Sequence, residues 1–227
     1  MKKLILKKVL IFAIIILVLA VGFIYWQKYQ SLKNTNQSPI LQNQNQDEEK
    51  NSLVPPNQSK EPLLKPPLSL ALERVTKKPF GIFITPENSP VSPEKFSGYH
   101  TGADFEILAG EENIDVPVYA VCAGPFIFKQ QVQGYGGVVI QQCELESQVA
   151  TIIYGHLKLS GIAQKIGQEV LAGEKIGVLG TGFSQETDGE RKHLHLGIRK
   201  GTNINLRGYV QDSAELVNWI DASEYLE

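Results

Sequence analysis

The sequence predicts an all-β domain, a compact antiparallel β-sheet of sandwich-like form, preceded by an N-terminal transmembrane helix. Three observations lead there. Residues 116–122, 125–131, 138–143 and 149–154 are four short apolar runs with many β-branched side chains, separated by glycines or polar turns. No long amphipathic helix pattern interrupts them. Near the start, an uncharged run over 9–26 follows Lys2, Lys3, Lys7 and Lys8, and it is long enough to cross a bilayer as one helix.

Residues 1–8 read as a basic tail held on the cytoplasmic side, which directs everything after residue 26 to the extracytoplasmic side. Tyr25 and Trp26 sit at the far end of the apolar run, at headgroup level. The reading is a single-pass anchor in the cell membrane. A cleaved signal peptide, with Ala20-Val21-Gly22 as its small-residue site, is the rival. Residues 27–78 read as a disordered linker, rich in Asn and Gln over 34–49 and then punctuated by Pro55, Pro56, Pro62, Pro66 and Pro67. Such composition does not offset its ordering entropy by burial. The more apolar piece 68–75 is a candidate for docking on the domain.

The folded unit is placed at 79–227. It opens with a strand over 81–85 and a proline-bearing loop over 88–96. The glycines of 167–177 lack dinucleotide or phosphate-loop spacing and read as tight turns between short strands. Residues 184–192 form a polar loop with both acids and bases, read either as a solvated rim or as a wall that meets substrate. Residues 214–226 are expected to form a short C-terminal helix, with Leu216, Val217, Ile220 and Tyr225 on the domain and Trp219 packed. A net charge of −2 with no basic stripe excludes a nucleic-acid partner. Cys122 and Cys143 read as a disulfide or as two small buried residues, and the sequence leaves both open.

The chemistry lies in the histidines. The chain has four, and all stand in suggestive places. In His193-Leu194-His195, side chains two apart on a strand point to one face. His100 and Asp104 add an imidazole and a carboxylate around Gly102, read as a bend. His156 lies between them in Tyr154-Gly155-His156-Leu157. Two imidazoles and one carboxylate are the minimal protein set for a catalytic zinc, the fourth position being kept for water. His100, Asp104 and one of His193 and His195 meet that requirement. No His-Glu-x-x-His frame is present.

These motifs resemble the lysostaphin/LytM-type zinc metallopeptidases. His100 to Asp104 is similar to the family's His-x-x-x-Asp, His193 to His195 to its His-x-His, and 154–157 to its Tyr-x-His-Leu. Pro117-Val118-Tyr119-Ala120, Gly136-Gly137-Val138-Val139-Ile140 and the glycines of 173–182 extend the likeness over about 80–210. The resemblance implies the duplicated hybrid motif fold and a zinc held by His100, Asp104 and His195. It makes His156 and His193 the catalytic histidines. It further implies a zinc-dependent endopeptidase that cuts the peptide cross-links of bacterial peptidoglycan, with the stem peptides as substrate and other envelope proteins as possible partners. The alternative is a non-catalytic envelope scaffold that activates another cell-wall hydrolase. The chain departs from the family most at 184–192, where a few small residues commonly precede the His-x-His.

Overall fold

The computed structural model describes residues 64–226, within a unit running from Gln58 to Glu227. Its main sheet is antiparallel throughout. Strands β5 (Gly124–Val132), β6 (Gly136–Leu145) and β7 (Gln148–Gly155) form a meander, and β8 (Glu169–Val170) closes one side against β5. On the other side β10 (His193–Lys200) pairs with β7, and the far edge of β10 is shared by β3 (Gly102–Glu106) and β12 (Trp219–Ile220). A smaller sheet joins β1 (Phe83–Ile84), β2 (Gly98–His100) and β11 (Tyr209–Val210), while β4 (Pro117–Tyr119) pairs with β9 (Lys175–Val178).

Side-chain alternation explains how this sheet is used. In β10, Leu194, Leu196 and Ile198 are fully buried in the main core beside Ile152 and Tyr154 of β7, Val118 of β4 and Ile176 of β9. Each such side chain contributes about 1.5–3 kcal/mol by leaving water. The intervening His193 and His195 face the other way. That opposite face carries a second cluster, in which Tyr135, Val138, Ile140, Ile153 and Trp219 meet. One buried polar group crosses the main core: Gln141 accepts from the Tyr154 hydroxyl at 2.9 Å and donates to the Cys122 and Gly124 carbonyls at 2.9 and 3.1 Å. Cys122 and Cys143 are joined as a disulfide across 21 positions. Closing a loop of that size stabilises a fold by about 3 kcal/mol in the chain-entropy account.

The structure corrects the expected transmembrane helix as an element of this fold. Among the described residues no helix is long and apolar enough to cross a membrane, and the α-helix there is the single turn α1, Ala71–Arg74. The described backbone satisfies its polar groups from strand to strand instead of within a long helix. The membrane as a partner and the single-pass location, which rested on that helix, are set aside with it. The run 9–26 and residues 27–63 lie outside the described residues. The expected C-terminal helix is also replaced. Residues 213–226 run as the 3-10 turn Ser213–Asn218, β12 and the 3-10 turn Ala222–Glu224, because Asp212 and Asp221 each cap a separate turn from the residue before it. Trp219 packs as expected, whereas Val217 is exposed.

Residues 64–78, read from the sequence as the end of a linker, are packed. Leu64 and Leu68 are 0% and 1% exposed and lie in the main core. Lys65 N–H donates to the Val121 carbonyl at 2.7 Å, and Tyr119 N–H donates to the Pro67 carbonyl at 2.9 Å. Arg74 is fully buried, and its guanidinium donates to both Glu111 carboxylate oxygens, at 2.6 and 2.9 Å, and to the Glu106 carbonyl at 3.1 Å. Proline-rich composition hid this because the partners lie in distant strands. A chain truncated to 79–227 is therefore expected to be less stable than 58–227 by about 3 kcal/mol or more, the burial of two leucines alone. Urea unfolding measures this, and equal midpoints would show that the segment only rests on the surface.

Candidate metal centre

The pairing of β3 with β10 sets Asp104 directly across from His195, and Glu106 across from His193. Cross-strand partners share a face, so the two acids and two imidazoles project together. His100, at the end of β2, reaches the same point from the neighbouring sheet. Gly102 makes this approach possible by its small size. A Cβ there would lie 2.8 Å from the His195 ring and 2.6 Å from the Leu196 carbonyl. The bend expected at Gly102 is thus a close contact between strands. Gly155 serves similarly on the other side, where a Cβ would lie 2.6 Å from the Tyr135 ring.

His100, Asp104 and His195 converge as a group able to hold a metal ion. His100 Nε2 lies 3.1 Å from His195 Nδ1 and 3.3 Å from Asp104 Oδ1, and His195 Nδ1 lies 3.1 Å from the same oxygen. A tetrahedral ion with bonds of about 2.0 Å has ligand atoms about 3.3 Å apart, so this triangle fits one face of a zinc site. The donor set fits as well. His100 Nδ1 faces the Pro79 carbonyl at 3.2 Å, which accepts only. In the neutral ring Nε2 is then left as the free ligand atom, held in orientation from behind.

His193 and His156 stand beside the triad. His193 Nδ1 donates to the Arg191 carbonyl at 2.8 Å, and its Nε2 lies 3.4 Å from Asp104 Oδ2. The His156 and His193 rings are 4.2 Å apart between centroids. His156 adopts a left-handed backbone at φ 62°, uncommon outside glycine. Its peptide is clamped there: its N–H donates to the Tyr135 carbonyl at 3.1 Å, and its carbonyl accepts from Gly180 N–H at 2.8 Å. His156 Nδ1 is buried without a hydrogen-bond partner among the described residues.

All four histidines and Asp104 are at most 4% exposed. Asp104, Tyr135, His156, Arg191, His193 and His195 line a cavity of about 270 Å³, whose other wall includes Phe96 and Tyr209. Burial by itself would raise the Asp104 carboxyl, but His193 and His100 hold it well below the usual range. Burial first, then the neighbouring His193, pushes His156 well below an ordinary imidazole. Burial likewise draws His195 down to about 4, against the pull of Asp104. Burial and the Asp104 charge raise the Tyr135 hydroxyl, which stays protonated.

Three groups at the site were not legible as such. Tyr135 lies in a glycine-rich turn, with its hydroxyl 3.4 Å from His195 Nε2. Arg191 stood in a loop with a solvated reading, yet its side chain is only 13% exposed and its guanidinium lies between Asp104 and Glu106. Glu106 and Arg191 had a usable signal, since each sits two positions from a site residue, Asp104 and His193. The loop itself folds inward. Ser184 caps the 3-10 turn Gln185–Thr187, and Thr187, Glu190 and Lys192 are buried.

The histidine environment predicts acid sensitivity. The unfolded His195 ring protonates as pH falls through about 6.5, while the folded ring resists until about 4. The unfolded state therefore binds more protons across that window, and stability falls with pH there. The metal-free protein is expected to melt at steadily lower temperature from pH 6.5 toward 4, with a shallower slope in His195→Gln. Identical slopes would remove His195 as a source.

Residues 98–206 match the model described as Peptidase family M23. No curated protein matches the chain closely enough to count as a relative. Among solved structures, Csd3 of Helicobacter pylori is 24% identical over 67% of this chain and 36% of its own, with a TM-score of 0.42. CbpA of L. salivarius REN is 22% identical over 65% of this chain and 83% of its own, with a TM-score of 0.41. A zinc-containing peptidase of Vibrio cholerae is 23% identical over 62% of this chain and 39% of its own, with a TM-score of 0.39. The chain thus spans little more than a third of the length of the first and third of these. The matched stretch begins in β2 and contains His100, Asp104 and His195, the three residues that converge as a group able to hold a metal ion: over residues 98–206 the chain matches peptidase family M23.

Proposed function

We propose that the protein is a zinc-dependent endopeptidase that hydrolyses the peptide cross-links of bacterial peptidoglycan, with His156 and His193 as its catalytic histidines. The match of residues 98–206 to a peptidase family and the His100, Asp104 and His195 triad support the metallopeptidase reading. One observation carries it further: two imidazoles that are not needed as ligands lie against each other, 4.2 Å apart and tilted, in the cavity beside the triad.

Bound by the triad, zinc would supply Lewis acidity, acidifying a water and polarising the scissile carbonyl. The protein must then manage protons and the developing negative charge. His156 is kept neutral by burial, and its Nδ1 has no partner among the described residues, so the ring is free to hydrogen-bond a water or the substrate. His193 has its Nδ1 hydrogen committed to the Arg191 carbonyl and presents Nε2 beside Asp104 Oδ2, where a proton can be held and offered to an oxyanion. The clamped left-handed backbone of His156 fixes its ring before substrate arrives, as strain at a functional site does.

The test uses the full chain, zinc analysis and digestion of peptidoglycan, followed by mass spectrometry for new peptide amino ends. Wild type is expected to bind about one zinc per chain and to release such ends. His100→Ala, Asp104→Ala and His195→Ala are expected to lose most of the metal. His156→Ala and His193→Ala are expected to keep it and to lose turnover on the order of 10²-fold or more. Full cutting by both histidine variants would end the catalytic assignment. A zinc-loaded wild type that opens no wall, yet activates a separate hydrolase, would establish the scaffold reading instead.

A further inference from the structure

We infer that Arg191 is a positioning residue for the metal centre, one that holds Asp104 in its ligand orientation and His193 in its tautomer at the same time; this rests on the metal reading above. The two Asp104 oxygens have different surroundings. Oδ1 faces His100 Nε2 and His195 Nδ1, at 3.3 and 3.1 Å. Oδ2 accepts from Arg191 Nη2 at 2.9 Å. A carboxylate held this way offers one oxygen to the triad, and turning the second oxygen to the same side would cost a charged hydrogen bond in a buried place.

Arg191 is itself held. Its Nε donates to both Glu106 oxygens at 2.9 Å, and its Nη2 also contacts Glu106. Glu106 is two positions from Asp104 on β3, so the strand presents both acids to one guanidinium fork. The planar fork suits arginine: a lysine ammonium is a compact point charge and does not reproduce the paired, fixed-direction contacts to both acids. The Arg191 main chain makes the second contribution. Its carbonyl accepts from His193 Nδ1 at 2.8 Å, which leaves Nε2 turned toward Asp104. Glu106 balances the guanidinium's charge, and the Lys77 ammonium lies a further 3.6 Å from Glu106 Oε2.

The test is zinc affinity of the full chain, measured by competition with a chromophoric chelator, together with the visible spectrum of the cobalt(II)-loaded protein. R191A is expected to bind zinc 10- to 100-fold more weakly, the usual loss when a group behind a ligand is removed, and to shift the cobalt bands. R191K is expected to restore only part of the affinity. If R191A does not fold, E106Q, which loosens the anchor of Arg191 while keeping its volume, is expected to weaken zinc binding several-fold. A lower melting temperature with zinc affinity within twofold of wild type and an unchanged cobalt spectrum, in R191A or E106Q, would overturn the inference. So would full restoration by R191K, since charge alone would then suffice. H100A separates the two readings. If it loses zinc while R191A keeps it, only this inference fails; if H100A binds zinc like wild type, the metal reading fails and takes the inference with it.

Discussion

The hydrogen-bonded pairing of β3 with β10 decides where every other group of the site can go. Its register sets Asp104 against His195 and Glu106 against His193. Because strand side chains alternate, these four share one face and Leu194, Leu196, Ala103 and Phe105 share the other, where they are buried in the main core. A slip of one residue would exchange the two sets. Hydrophobic burial on one face therefore holds the polar register on the other. The space at Gly102 lets the His195 ring lie against the strand carrying Asp104, and β2 brings His100 to the same atoms.

Concentrating buried polar groups in this way is costly unless each is paired. The pairing is reciprocal here. Arg191 lies between Asp104 and Glu106, and the Lys192 ammonium donates to the Glu111 carbonyl at 2.8 Å. His100 leans on the Pro79 carbonyl and His193 on that of Arg191. Buried side-chain atoms without partners are few among the described residues, and His156 Nδ1 is the one at the cavity's histidine pair. The ligand atoms sit on strands with a packed reverse face, a placement that keeps a site rigid. The rim comes from loops, among them 133–135 and 190–191, which lets substrate contacts vary without disturbing the ligands.

Much of this was legible in local sequence because strand periodicity is local. His193 and His195 sharing a face follows from spacing alone, as does the all-β character of the apolar runs. The ligand chemistry followed from residue type. Elsewhere local patterns misled. Residues 64–67 look like linker because of Pro66 and Pro67, but Leu64 finds its partners in distant strands, while the apolar piece 68–75, a candidate for docking, does pack there through Leu68. The C-terminal apolar spacing looked helical, yet Asp212 and Asp221 break it into capped turns. The transmembrane helix was read from hydropathy, a property of composition, and the described fold contains no such helix.

The sequence by itself determined the chemical inventory of the site: which residues can bind a metal, which can move a proton, and which pairs must point the same way along a strand. Only the tertiary structure decided the assignments within that inventory. It set Asp104 Oδ1 against His195 Nδ1, brought the His156 ring beside that of His193, and turned Arg191 inward onto a carboxylate 87 positions away. The physical reason is that such contacts depend on the register between strands far apart in the chain. Register follows from the combined packing of both faces of the sheet, which no local pattern encodes.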